Sequence, residues 1–177
     1  MGKFIFVLGG AKSGKSAYTI SYAKKNSAKV VYIATAKAGD LEMRERIKKH
    51  KLSRPKSWKT VEESFELLSA LKKCASKYEI IIIDCLTLYL SNLMLKGLKS
   101  QEINKRVKNL TNYISKSNQT VLLISNEVGL GIVPQNKMAR EFRDISGLAN
   151  QIAAKKADEV IFMQAGIPTS IKNSKEI

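Results

Sequence analysis

"KFIFVLGGAKSGKS", residues 3–16, decides the fold. A run of apolar, strand-forming residues stops at a glycine pair, and Gly14-Lys15-Ser16 then opens a helical pattern. Gly9, Gly14, Lys15 and Ser16 stand at the places that a phosphate-binding P-loop requires. Glycine lets the backbone curl, so the amides from Gly9 through Gly10, Ala11, Lys12, Ser13 and Gly14 can turn toward phosphate oxygens. Lys15 then reaches the β- and γ-phosphates, and Ser16 offers a hydroxyl to Mg²⁺. A glycine- and serine-rich turn can arise by chance, but the strand–loop–helix setting weighs against that reading.

Working outward, "KVVYIATA", "EIIIIDCL", "TVLLISNE" and "EVIFMQAG" read as further buried strands. Helical patterns fall over 15–25, 40–50, 64–77, 86–96, 100–116 and 136–156. The clearest is 100–116, where Ile103, Val107, Leu110 and Ile114 recur at helical spacing beneath lysines. Such alternation predicts an α/β fold, a mostly parallel sheet with helices on both faces. Ligands then lie beyond the carboxyl ends of the strands. No linker or repeat interrupts the pattern, which implies a single nucleotide-binding domain over 1–177.

Composition limits the function classes. The chain carries 31 Lys and Arg against 15 Asp and Glu, a net charge of +16 that favours polyanionic partners. The lysines are diffuse, with no basic stripe interleaved with aromatics, so nucleotides fit better than nucleic acid. Cys74 and Cys85 have neither metal-ligand spacing nor histidine neighbours, which argues against zinc and for reduced thiols. No apolar run approaches membrane-span length. "MGKFIF" reads as neither a signal peptide nor a myristoylation signal, so a cytoplasmic protein is expected.

Other residues reach the same edge of the sheet. Asp84 ends the strand "IIIID", where a P-loop protein needs a carboxylate for Mg²⁺. It could equally cap the helix that "DCLTLYL" opens, and both roles can coexist. Ser125, Asn126 and Glu127 follow another strand and could hold water, substrate or metal, or simply form a turn. Arg140 and Arg143 share a helix face, suited to clamping phosphate or to exposed pairs with Glu141 and Asp144. The single histidine, His50, lies in "RIKKHKLSRPKSW" with the single tryptophan, Trp58. With Asp40 as N-cap, Met43, Ile47 and His50 fall on one stripe of the helix. Arg54-Pro55 ends that helix. An imidazole among cations can attack phosphorus, or it can be an ordinary surface residue, and chemistry alone leaves both open. Trp58 reads as a packing anchor.

"GGAKSGKS", "VVYIATA", "EMRERIKKHKLSRPKSWKTVEE", "IIIIDCLTLYLSNL" and "SNEVGLGIVPQNKMAREFRDISGLANQIAAKKADEV" follow one another as in a known family. From Phe4 to about Lys172 the chain resembles the bifunctional adenosylcobinamide kinase / adenosylcobinamide-phosphate guanylyltransferases. The resemblance implies a RecA-like P-loop NTPase fold, often trimeric. It implies phosphorylation of adenosylcobinamide by ATP or GTP, then transfer of GMP from GTP to adenosylcobinamide phosphate with release of pyrophosphate. By this resemblance His50 carries GMP as a phosphoramidate. It also assigns nucleotide contacts to 9–16, Ala34, Thr35, Ala36, Lys51, Leu52, Ser53, Arg54, Glu62 and Asp84. Some relatives have Glu where this chain has Asp84, which keeps the carboxylate. This chain is richer in lysine than the family usually is.

Two rival readings remain. A plain P-loop kinase of small molecules explains the loop and Asp84 but gives His50 no task. A RecA-like nucleic-acid ATPase explains the charge, and predicts salt-sensitive binding to DNA or RNA with stimulated ATP turnover.

Overall fold

The computed structural model describes residues 2–173. Its sheet comprises β1 (Phe4–Gly9), β2 (Val30–Ala34), β3 (Lys59–Glu62), β4 (Ile80–Asp84), β5 (Thr120–Asn126), β6 (Glu159–Gln164) and β7 (Ile167–Asn173). The helices are α1 (Lys15–Asn26), α2 (Leu41–Leu52), α3 (Leu67–Ala75), α4 (Leu86–Leu95), α5 (Ser100–Ile114) and α6 (Lys137–Lys156). The strands lie in the order β3-β2-β4-β5-β1-β6-β7, parallel throughout except for the closing β6–β7 hairpin.

Strand alternation builds two cores. In β1, Phe4, Phe6 and Leu8 face one core, which buried residues of α3, α4, α5 and α6 complete. Ile5 and Val7 face the other, where α1 contributes Ile20 and Ala23. Helices thus cover both faces, as the alternation predicts, but unequally. In α5 the expected stripe of Ile103, Val107, Leu110 and Ile114 is fully buried. In α2 none of the described side chains is buried, and Met43, Ile47 and His50 are its half-buried ones. Trp58 packs against the second core, in keeping with an anchor. Among the described residues no helix is long and apolar enough to cross a membrane.

Both sheet edges depart from the sequence reading. β3 is short, with no fully buried residue, and β7 exposes most of its side chains, so neither carries the apolar run that marks an interior strand. Pro168 sits in β7, where an edge strand tolerates the missing N–H. The helix expected over 64–77 begins only at Leu67, because Glu63 first takes the amides of Phe65 and Glu66 into a turn. Asp40 caps α2 as expected, accepting from the Met43 amide at 2.7 Å.

Because β1, β2, β4 and β5 are parallel, their carboxyl ends share one edge. Register puts Gly9 beside Asn126 and Ala34 beside both Asp84 and Glu62. That edge carries the site.

Candidate functional site

The loop after β1 is shaped by glycine. A Cβ at Gly9 would stand 2.3 Å from the Met163 carbonyl oxygen, and Gly14 has φ 98°, which L side chains rarely adopt. Lys12 also takes a left-handed φ of 56°. The loop is braced from both sides. The Glu127 amide donates to the Gly9 carbonyl at 3.0 Å, and the Gly166 amide of the β6–β7 turn donates to the Ser13 carbonyl at 3.1 Å.

Lys15 is buried beneath this loop. Its ammonium donates to the carbonyls of Gly9 (2.9 Å) and Gly10 (2.5 Å) and to Ser13 Oγ (3.4 Å). A full positive charge is therefore stored where phosphate oxygens would arrive, held by neutral acceptors that an anion can displace.

Asp84 gathers the neighbouring groups. Its Oδ2 accepts from Ser16 Oγ at 3.2 Å and, in a short hydrogen bond, from the Tyr32 hydroxyl. His50 Nδ1 lies 3.9 Å from the same oxygen. The helix-cap role is excluded, because Cys85, not Asp84, caps α4, its Sγ accepting from the Leu88 amide at 3.4 Å. Burial and the adjacent Asp84 charge push the Cys85 thiol up to about 12. Burial, then the Asp84 charge, likewise pushes the Tyr32 phenol far above its usual range.

Ser16 and Asp84 form an oxygen pair of the kind a hard divalent cation prefers. Among the described residues no group of three His, Cys, Asp or Glu could hold a metal unaided. The donors fit Mg²⁺, which typically takes one or two carboxylates and completes its shell from water and phosphate.

The segment after β2 brings in α2. The Ser53 hydroxyl donates to the His50 carbonyl at 2.9 Å and closes the helix end. Ser16, Ser21, Lys24, Lys49 and His50 line an open cleft of about 540 Å³ between α1 and α2. Arg54 lays its guanidinium 3.6 Å over the Tyr32 ring, with Nη1 3.4 Å from Thr60 Oγ1. Lys51 pairs with Glu62 at 2.5 Å.

The remaining candidates divide. Ala34 lies at the edge beside Asp84, and Ala36 follows two residues past the end of β2. The Thr35 hydroxyl is fully buried and engaged, accepting from the Cys85 amide and donating to its carbonyl, both at 2.7 Å. It shapes the site from behind. Leu52 is 78% exposed. Ser125 donates to Asn150 Oδ1 at 2.7 Å, so the Thr87 hydroxyl, 3.1 Å away, is the donor to Ser125. Glu127 accepts from the Gly129 amide at 2.6 Å, a turn role. Arg140 donates to the carbonyls of Pro134 and Gln135 and ties down the loop before α6. Arg143 Nε lies 3.9 Å from Asp144, the pair anticipated, whereas among the described residues Arg140 pairs with no carboxylate. Tyr32 is the residue the sequence reading missed. Its only early sign is a phenol inside an otherwise aliphatic strand, which must find a partner once buried.

The family model for cobinamide kinase / cobinamide phosphate guanyltransferase matches residues 5–171. The chain is 38% identical over 166 residues to the bifunctional adenosylcobalamin biosynthesis protein of Pseudomonas aeruginosa, covering 94% of this chain and 95% of that one. Its Escherichia coli counterpart is 37% identical over 180 residues, covering 95% and 99%. Among solved structures, a Pyrococcus horikoshii protein aligns with a TM-score of 0.57 at 12% identity, over 97% of this chain and 86% of that one. A type III secretion ATPase aligns with a TM-score of 0.58 at 11% identity, over 96% and 57%. These likenesses establish a fold of the RecA-like ATPase kind.

Proposed function

Because the chain belongs to the cobinamide kinase / cobinamide phosphate guanyltransferase family, we propose that it carries both reactions at the edge formed by Lys15, Ser16, Asp84 and His50. In the first, the primary substrate is adenosylcobinamide. Its hydroxyl oxygen bonds to the γ-phosphorus of ATP or GTP, the bond to the β-phosphate oxygen breaks, the nucleoside diphosphate leaves and the hydroxyl proton passes to water. The loop 9–16 holds the phosphates through its amides, and Lys15 exchanges the Gly9 and Gly10 carbonyls for phosphate oxygens. Ser16 and Asp84 would hold Mg²⁺, which offsets phosphate charge when bound.

In the second reaction an imidazole nitrogen of His50 attacks the α-phosphorus of GTP. A nitrogen–phosphorus bond forms and pyrophosphate leaves. A phosphate oxygen of adenosylcobinamide phosphate then attacks the same phosphorus and releases His50, giving adenosylcobinamide-GDP. Lys24 and Lys49 in the cleft, with Lys51 and Arg54 beside it, offset the charge of the departing pyrophosphate. Ala34, Ala36 and Glu62 border the nucleotide. The observation that carries this reading is that Asp84 Oδ2 lies 3.2 Å from Ser16 Oγ and 3.9 Å from His50 Nδ1, so carrier and phosphate loop share one oxygen.

The proposal extends to a cytoplasmic homotrimer built from this one domain, with no nucleic-acid partner. Sedimentation giving a fully active monomer would defeat the trimer. The decisive test of function is His50→Ala with α-labelled GTP. The variant should still make adenosylcobinamide phosphate, yet form neither an acid-labile, base-stable GMP adduct nor adenosylcobinamide-GDP. A labelled adduct on the variant would move the nucleophile elsewhere.

A further inference from the structure

The backbone around Asp84 is fixed by its neighbours. The Thr35 amide donates to the Asp84 carbonyl at 3.0 Å, and the Thr35 hydroxyl holds both the amide and the carbonyl of Cys85 at 2.7 Å. What remains free is the torsion of the carboxylate itself. Three groups meet its Oδ2, and they are not equivalent. The Ser16 hydroxyl would turn a lone pair to the cation while its O–H can still donate to Oδ2, so its hold on the carboxylate moves with the metal it binds. His50 stands 3.9 Å away on α2, whose described side chains are all at least partly exposed. Tyr32 is fully buried on an interior strand.

Register explains why a tyrosine can do this. Tyr32 pairs with Ile82, two residues before Asp84, so phenol and carboxylate project from the same face of the sheet. The gap along the strand is about 6.6 Å, the rise of two residues, which a phenol spans and a serine or threonine does not. The ring is clamped between the apolar residues of its core and the Arg54 guanidinium 3.6 Å above it. The hydroxyl therefore points one way only.

We infer that Tyr32 is a positioning residue for the divalent cation: its hydroxyl holds Asp84 Oδ2, which orients the carboxylate toward Ser16 and leaves Oδ1 free for the metal and its water shell. The inference rests on the assignment of Ser16 and Asp84 as the metal's protein ligands. Outer hydrogen bonds of this kind commonly tune metal affinity by about ten- to a hundredfold. A purely structural tyrosine, satisfied by whatever acceptor lies nearby, would affect stability without moving metal affinity.

Tyr32→Phe removes the O–H and keeps the ring, its packing and the Arg54 stack. The test is titration of Mn²⁺ into the full chain loaded with a non-hydrolysable ATP analogue, followed by electron paramagnetic resonance, with thermal melts alongside. Relative to the parent, Tyr32→Phe should bind Mn²⁺ about tenfold more weakly at a nearly unchanged melting temperature. In an Asp84→Asn background the same substitution should change Mn²⁺ affinity little, because the group it orients has lost its charge. Parent-like Mn²⁺ binding by Tyr32→Phe, with Asp84→Asn weakened, overturns the inference and leaves the ligand assignment standing. If Asp84→Asn itself binds Mn²⁺ like the parent, the ligand assignment falls, and the positioning role falls with it.

Discussion

Lys15→Ala should separate catalysis from folding, and the structure sets both magnitudes. In the free protein Lys15 is 7% exposed, and its ammonium donates to two carbonyls and a hydroxyl of its own loop. Each charge-assisted bond contributes about 1.5–3 kcal/mol. Keeping an ammonium out of water costs several kcal/mol in return. These effects oppose one another, so the variant should fold with a stability within about 1 kcal/mol of the parent. For a chain of 177 residues that is a melting shift of no more than about 4 °C. Catalysis has no such offset. Removing even a neutral donor from a developing oxyanion slows enzymes by roughly 10²–10³-fold, and Lys15 contributes a full charge. Kinase turnover should thus fall by about 10³-fold, equivalent to about 4 kcal/mol of activation free energy. Nucleotide at a hundred times its Kd should raise the parent's stability by about 2.7 kcal/mol, and this gain should shrink in the variant. The assay pairs initial rates of adenosylcobinamide phosphorylation with circular-dichroism melts, with and without nucleotide. Turnover within tenfold of the parent, or a melting drop above 10 °C, would refute the reasoning.

Asp84→Asn should cut Mg²⁺-dependent turnover by roughly 10²-fold while leaving the melt nearly unchanged, because the amide keeps the shape and loses only charge. An unaltered Mg²⁺ requirement would count against it. Glu63 is held below its ordinary value of 4.5 by the amides of Glu66 and Phe65. Its contribution is complete above that ordinary value and disappears as pH falls through the lowered one. Glu63→Gln should therefore be less stable by up to about 1 kcal/mol at pH 7, and urea melts should show the gap closing below pH 4.5. Cys74 and Cys85 are buried, and burial raises both thiols, Cys85 to about 12. Neither should react with Ellman's reagent at pH 8 until the chain is unfolded. A fast-reacting native thiol would contradict this burial.

What could be read beforehand was local. The loop 9–16, the stripe of α5 and the Asp40 cap depend on residues a few positions apart, and each is present as expected. His50 could be placed on the inner stripe of α2 by spacing alone, but not beside Asp84, because that contact spans the sheet edge. Asp84 could be read as cap or ligand until α4 proved to be capped by Cys85. Tyr32 was invisible as a functional residue because its role depends on β2 lying next to β4, and strand order leaves no trace in a local pattern. β3 and β7 were missed for a different reason: edge strands meet water, so their sequences lack the apolar run that marks interior ones. The Ser125–Asn150 bond shows how a polar residue at the ligand edge can be fully consumed within the fold.

The position of β1 has a consequence for how the protein is made. Its hydrogen-bonded neighbours are β5 and β6, and its loop is braced by Gly166, so the first strand finds its partners more than a hundred residues downstream. On the ribosome the phosphate-binding segment emerges well before either partner: its first, β5, is complete only at residue 126, and its second, β6, only at residue 164. Such long-range pairing slows folding and leaves the strand's edges exposed meanwhile. The apolar "FIFVLG" therefore waits unpaired and in need of chaperone cover on the nascent chain, and nucleotide can stabilise the fold only after β5 and β6 have joined it.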